Sequence, residues 1–210
     1  MCSRNNIIQD QLKEWIVEEA EDEPTGKEFY IPHKPVIKKA AESTKMRIVY
    51  DASGRGKETS PSLNKCLETG PPLQNLLWIV LVRNRLKPVP LAEDLNKQAF
   101  FQIRIRPEDR DCLRFHWIKS KKTLHVVVLR FTCALFGLAQ SPFLLGGIIK
   151  QHLASLREKY PKEVDEIQAS LYVDDIIAGG ETRAEVHQLK KATIEIFGEA
   201  QFELHNLTLT

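Results

Sequence analysis

The segment LYVDDIIAGG, residues 171–180, places two adjacent aspartates between two short apolar runs. This pattern predicts a β-hairpin whose bend carries Asp174 and Asp175. Neighbouring residues on a regular strand point to opposite faces, so both carboxylates can serve one site only where the backbone turns. The two charges repel each other, and a hard cation such as Mg²⁺ would relieve this repulsion by binding carboxylate oxygens. A solvated turn is the alternative, and it is the more common explanation of an isolated Asp-Asp pair.

The composition is that of an ordinary globular protein, with 42% hydrophobic and 28% charged residues in a chain of 210. Thirty basic and 28 acidic residues give a net charge of +2, so only a local basic surface could attract nucleic acid. The four cysteines form no CxxC pair, which excludes a zinc knuckle and favours reduced thiols. Without a signal peptide or an apolar run near the ~18 residues of a membrane span, we expect an intracellular protein that is not secreted.

Periodicity and capping signals predict four helices. The first buries a face that includes Trp15, and the second covers residues 73–86. The third begins at Ser141, a capping residue followed by a proline at the first helical position. Thr182 and Glu185 form a capping box that opens the last helix.

Alternating apolar and polar residues predict strands over residues 46–53 and 112–118, and two further runs, residues 99–105 and 123–131, are also interpreted as strands. The prolines of residues 29–39 favour an extended edge segment. Together with the acidic hairpin, this order predicts an α+β fold with an antiparallel sheet and helices on one face.

A third carboxylate is needed if the hairpin is to hold two metal ions, because one hairpin rarely supplies enough ligands. Asp94, in the segment PLAEDLNKQAFFQI, is the candidate, since it lies at the entry to a predicted central strand. Two magnesium ions on Asp94, Asp174 and Asp175 could activate a hydroxyl, stabilise a transition state and hold a leaving pyrophosphate.

Several segments resemble reverse transcriptases. YVDD resembles their catalytic hairpin, DLNKQAFFQI their first metal-binding strand, and FGLAQSPF the loop and helix that position the template and the incoming nucleotide. YIPHKPVIK, RIVYDAS, SLNKCLETGPPLQ and EDRDCLRFHW add further similarity. Together these motifs are similar to the Bel/Pao group of LTR retrotransposon polymerases, from about Leu12 to Leu204.

The resemblance implies a polymerase palm, with a ferredoxin-like antiparallel sheet, and a fingers subdomain. Residues 1–90 would hold the N-terminal helix and fingers segments, and residues 91–210 the palm, with fingers strands inserted at about 105–130. We expect the thumb and later domains to be absent from this chain.

The implied activity is RNA-directed DNA polymerisation with two Mg²⁺ ions, for which Mn²⁺ is an alternative. Asp94 and Asp174 would bind the metals and Asp175 would complete the acidic cluster. The implied partners are an RNA or DNA template-primer duplex and deoxynucleoside triphosphates, with no membrane. The implied location is the cytoplasm, within a virus-like particle in an intact element, or the nucleus.

Two further residues would contact the nucleotide. Arg47 matches an arginine that grips the triphosphate, because its guanidinium suits phosphate oxygens; a surface strand residue is the alternative. Phe100 would lie under the sugar and exclude a 2′-hydroxyl, thereby favouring deoxynucleotides. A plain core aromatic beside Phe101 explains Phe100 equally well.

Three residues would contact the template and primer. Phe136 and Gly137 would form a floor against the template and the base pair, where glycine lets the backbone approach closely. Tyr172 would contact the primer end, or else serve as a strand aromatic.

The sequence departs from the family pattern at two places. Gln98 is an additional residue between Asp94 and Phe100. An extra residue on a strand moves the side chains that follow it to the opposite face of the sheet, unless a bulge absorbs it. After the last helix, Asn206 and Leu207 stand where the family has a lysine–tryptophan pair. The resemblance implies that this lysine donates a proton to pyrophosphate in the family, and His205 is a candidate to replace it.

Two other classes of function stay open. A catalytically degenerate remnant would at most bind nucleic acid, with salt-sensitive affinity and no metal requirement. A different palm-type enzyme, such as a nucleotidyl cyclase, is disfavoured because the segments before Asp94 have no role in it.

Overall fold

The structure is a computed structural model that describes residues 4–21, 23–24, 27–39, 44–95, 99–120 and 124–209. Two compact units divide the chain. Unit 1 comprises Met1–Glu68 and Ile103–Ser141, and unit 2 comprises Thr69–Gln102 and Pro142–Thr210. The assignment of these units to fingers and palm stays a prediction.

Both units contain helices and strands. In chain order, the helices are α1 (Arg4–Lys13), α2 (Leu63–Cys66), α3 (Leu77–Arg85), α4 (Ser141–Ser155), α5 (Pro161–Ser170) and α6 (Arg183–Glu199). The strands are β1 (Val17–Glu19), β2 (His33–Lys39), β3 (Thr44–Tyr50), β4 (Val89–Leu95), β5 (Arg114–Ser120), β6 (His125–Phe131), β7 (Leu171–Tyr172), β8 (Asp175–Gly180) and β9 (Leu204–Leu209). No helix in the described ranges is both long and apolar enough to cross a membrane.

Unit 1 contains a three-stranded antiparallel sheet in the order β1-β6-β5 and a separate two-stranded ribbon, β2-β3. Aromatic side chains join the ribbon to the sheet. The ring of Tyr50 on β3 lies 5.1 Å from that of Phe115 and 4.7 Å from that of Phe131, both edge-to-face. His33 on β2 packs against Trp117 at 5.7 Å between ring centroids. These contacts stabilise the ribbon, since aromatic pairs add energy beyond their buried area.

A buried ion network also stabilises unit 1. The carboxylate of Asp111 accepts hydrogen bonds from Arg114 Nε at 2.9 Å and from Arg130 Nη1 at 2.8 Å. Arg130 Nε in turn donates to Glu18 on β1 at 2.7 Å. The side chains of Asp111 and Arg114 are each only 1% exposed, so each charge depends on the other for compensation.

Unit 2 contains a four-stranded antiparallel sheet in the order β7-β8-β4-β9. Helices α3, α5 and α6 each pack against β8, and α5 also contacts both α3 and α6. The mixed helix and antiparallel-sheet architecture agrees with the predicted α+β class.

The predicted strand over residues 99–105 is wrong, because Ala99–Gln102 form a 3₁₀ turn. Ala99, Phe100 and Ile103 are the buried residues of this segment, and a spacing of three to four residues buries one face of a helical turn rather than of a strand. The strands β1, β4 and β9 and the helices α2 and α5 were not predicted from the sequence. Asp94 was expected at the entry to the strand over residues 99–105, and it lies instead near the end of β4. The capping box at Thr182 and Glu185 is confirmed.

The prediction that Trp15 lies on the buried face of the first helix is wrong. The helix ends at Lys13, and Trp15 is 69% exposed with φ at 55°. The amide of Ile16 donates to the carbonyl of Gln11 at 2.9 Å. This hydrogen bond closes the helix through a left-handed residue, which turns the indole away from the helical face.

We expect Asp111→Asn to lower the free energy of unfolding by about 3–5 kcal/mol, because it leaves the buried Arg114 cation uncompensated. Urea unfolding followed by circular dichroism measures the change. The matched control is Asp165→Asn, which breaks an exposed ion pair to Arg157 and should cost less than about 1 kcal/mol. Equal losses in the two variants would contradict the assigned role of the network.

Candidate active site

The predicted acidic hairpin forms between β7 and β8, but its bend carries Val173 and Asp174 rather than Asp174 and Asp175, and Asp175 is the first residue of β8. Tyr172 pairs with Asp175 in the register, so Val173 and Asp174 are the two turn residues. Val173 has φ at 55°, whereas two-residue hairpins usually place glycine or asparagine at positive φ. A β-branched residue in this region costs about 1–2 kcal/mol. Such strain persists where the surrounding structure fixes the turn, and it is concentrated at functional sites.

The third aspartate lies on the strand next to this hairpin. Strand β4 runs between β8 and β9, and its register places Asp94 opposite Asp175 on one side and opposite His205 on the other. The amide of Leu95 donates to the carbonyl of Asp174 at 2.8 Å. Opposed residues of antiparallel strands have Cα atoms about 4.5–5.5 Å apart. The backbone therefore brings the three predicted metal-binding positions together.

The donor set at this place suits a divalent cation. Asp174 is half-buried and Asp175 is exposed, and carboxylate oxygens are the ligands that Mg²⁺ prefers. The side chain of Asp94 is not among those that the structure describes, and the described side chains include no cluster of three or more metal-binding residues. The fit to a metal therefore rests on the backbone register and on the chemistry of the three side chains.

The pairing of β4 with β9 is irregular next to Asp94, and the extra residue is on β9. Ala92 pairs with Thr208 and Asp94 pairs with His205, so β9 has one more residue than β4 in this interval. Such a bulge re-aims side chains beside a site. Gln98, the additional residue identified from the sequence, lies outside the described residues.

Asn75 fixes the start of the hairpin, and sequence reasoning missed it. Its side-chain amide donates to the carbonyl oxygens of Gln168 at 2.8 Å and of Leu171 at 2.9 Å. These carbonyls lie at the end of α5 and the start of β7, where the helix leaves backbone acceptors without helical partners. The partners lie more than 90 residues away in the sequence, so no local signal could have identified them.

The predicted nucleotide-contacting residues lie in both units. Phe100 belongs to unit 2 and is buried, with 3% of its surface exposed, as the core-aromatic alternative predicted. Its role beneath a sugar stays a prediction. Arg47 belongs to unit 1, is exposed, and lies opposite Val36 in the β2-β3 register.

The remaining predicted residues lie in turns or next to them. Phe136 is 49% exposed, and Gly137 has φ at 89°, a conformation that favours glycine. Both belong to unit 1. Tyr172 of unit 2 is half-buried and precedes the turn of the acidic hairpin.

A family model described as reverse transcriptase (RNA-dependent DNA polymerase) matches residues 80–206. The chain belongs to the reverse transcriptase family. The matched segment includes β4 and the β7-β8 hairpin, and hence all three aspartates, but it begins after Arg47. Reverse transcriptase domains generally use divalent metal ions and act on nucleic-acid template-primers and nucleotides. No curated protein matches the chain.

We expect Asn75→Ala to lower the free energy of unfolding of this reverse transcriptase domain by about 1–3 kcal/mol, because two backbone acceptors lose their donor. Chemical denaturation measures the loss. Ser155→Ala is the control, since it removes one exposed hydrogen bond to the carbonyl of His152 and should change stability by about 0.5 kcal/mol or less. If Asn75→Ala is as stable as the control, the amide does not hold the hairpin.

Proposed function

We propose that the chain is the RNA-directed DNA polymerase domain of a Bel/Pao-type LTR retrotransposon. The observation that carries the proposal is the register of β4 and β8, which pairs Asp94 with Asp175 within the segment that matches the reverse transcriptase family. The hydrogen bond from the amide of Leu95 to the carbonyl of Asp174, in the hairpin turn, also supports the proximity of the three aspartates.

Asp94, Asp174 and Asp175 would hold two Mg²⁺ ions, or Mn²⁺ in their place. When bound, the ions would supply activation of the primer 3′-hydroxyl and charge neutralisation at the phosphates. The protein contributes the positions of the three carboxylates, because the strand pairing and the strained turn at Val173 limit their movement. His205 lies beside Asp94 in the register and is our candidate for the acid that protonates pyrophosphate.

We assign contacts to each unit by itself. Unit 2 corresponds in this proposal to the palm, with Phe100 beneath the sugar of the deoxynucleotide and Tyr172 at the primer end. Unit 1 corresponds to the fingers, with Arg47 at the triphosphate and Phe136 and Gly137 against the template. The partners would be an RNA or DNA template-primer duplex and deoxynucleoside triphosphates. A retrotransposon polymerase of this kind would work within the cell, in a particle or in the nucleus.

We expect Asp94→Asn, Asp174→Asn and Asp175→Asn each to lower Mg²⁺-dependent extension of oligo(dT) on poly(rA) by about 100-fold or more. Loss of a carboxylate removes a metal ligand but no contact to the nucleic acid, so duplex binding should stay close to that of the parent. Asp165→Asn, on the exposed face of α5, is the control and should extend primers normally.

The alternative is a catalytically degenerate remnant that at most binds nucleic acid. It predicts that the parent binds the duplex in a salt-sensitive way and extends no primer with any divalent metal. Deletion of Gln98 then locates the defect: extension by the deletion variant alone would identify this residue as the cause. Metal-dependent extension by the parent would exclude the remnant.

We expect Phe100→Val to raise the incorporation of ribonucleotides relative to deoxynucleotides by about tenfold or more, because a smaller side chain leaves room for a 2′-hydroxyl. Single-nucleotide extension with matched rNTP and dNTP measures the ratio. Phe115→Val, in the aromatic core of unit 1, is the control for general destabilisation. If Phe100→Val loses stability without a change in the ratio, Phe100 is a core residue only.

A further inference from the structure

Asn64 makes a complete set of side-chain hydrogen bonds in unit 1. Its amide nitrogen donates to the carbonyl oxygen of Gly137 at 2.8 Å and to the hydroxyl of Ser53 at 3.0 Å. Its amide oxygen accepts from the backbone N–H of Ala139 at 2.9 Å. Both amide hydrogens and the oxygen thus have partners, and this pattern fixes which atom is nitrogen and which is oxygen.

These bonds join two turns that are distant in sequence. The backbone N–H of Asn64 donates to the carbonyl of Ala52 at 3.0 Å, so the short helix α2 is anchored to the turn that follows β3. The side chain then holds the turn at Gly137, 73 residues further along the chain. No neighbouring strand pairs with residues 134–140 in the described part of the chain. The amide of Asn64 thereby supplies hydrogen bonds that a strand would otherwise provide.

The turn that Asn64 holds has two features of a contact surface. Phe136 presents an aromatic ring that is 49% exposed, although large aromatic side chains are usually buried. Gly137 has φ at 89°, and a Cβ built there would meet only the carbonyl of Tyr50, at 3.9 Å. The side next to Gly137 is therefore open, and a flat group can approach the backbone closely.

We infer that Asn64 is a positioning residue for the template: it orients the Phe136–Gly137 turn against the templating base pair. This inference rests on the proposed function. It assigns a role to a residue that would itself contact neither the template-primer nor the nucleotide. Asn64→Asp is the sharpest variant, because it keeps the shape and the acceptor for Ala139. It replaces the donor to Gly137 with an oxygen that repels the carbonyl.

The test measures binding of a fluorescein-labelled oligo(dT)/poly(rA) duplex by anisotropy, without nucleotide. We expect Asn64→Asp and Asn64→Ala to weaken binding about fivefold to tenfold. Phe136→Ala should weaken binding to a similar degree, and the double variant Asn64→Ala/Phe136→Ala should bind no more weakly than either single variant. Ser53→Ala is the control, since it leaves the bonds to Gly137 and Ala139 in place and should bind as the parent does.

A purely structural role of Asn64 would give a different result. The losses from Asn64→Ala and Phe136→Ala would then add, because general destabilisation is independent of the ring contact. Additive losses would overturn the inference about Asn64 and leave the proposed function intact. The same holds if both Asn64 variants bind as the parent does while Phe136→Ala binds more weakly. A parent protein that binds no duplex would contradict the proposed function, and the inference with it.

Discussion

The antiparallel pairing of β4 with β8 is the interaction on which the acidic site depends. Consecutive pairs run from Val89–Gly180 to Asp94–Asp175, and a slip of one residue would move Asp94 away from its partner. The far end of the ladder is fixed by close packing, since a Cβ on Gly179 would lie 2.7 Å from Cβ of Lys87 and 2.8 Å from the carbonyl oxygen of Val89. Glycine at position 179 permits this close packing. The packing fixes the register that places Asp94 opposite Asp175 at the other end of the ladder, beside the strained turn.

Two asparagine side chains stabilise the turns that carry the proposed contacts. Asn75 binds backbone acceptors next to the acidic hairpin in unit 2, and Asn64 binds the Gly137 turn in unit 1. In both cases an amide satisfies backbone groups where regular pairing ends, which is the usual function of such side chains in irregular segments. Rigid turns matter for nucleotidyl transfer, because metal ligands and template contacts tolerate little displacement.

Local signals in the sequence predicted the acidic hairpin, the capping box at Thr182 and the strands β5 and β6, because alternation and capping involve neighbouring residues. They failed over residues 99–105, where an apolar run folds into a 3₁₀ turn, and for the three-residue strand β1. The sequence indicated that Asp94 joins Asp174 and Asp175 at one site, from the need for a third carboxylate and from the family resemblance. It did not predict the pairing of Asp94 with Asp175, since strand order is a long-range property. The roles of Asn64 and Asn75 could not be predicted, because the backbone groups that their side chains bind lie 73 or more residues away.

The central claim is that Asp94, Asp174 and Asp175 together bind divalent metal. The most direct measurement is a crystal structure of the protein with Mn²⁺ and a template-primer, with the ions located by anomalous scattering. The account predicts two ions about 4 Å apart, bound by carboxylate oxygens of all three aspartates. Ions that bind Asp174 and Asp175 while the carboxylate of Asp94 lies outside their coordination sphere would contradict it.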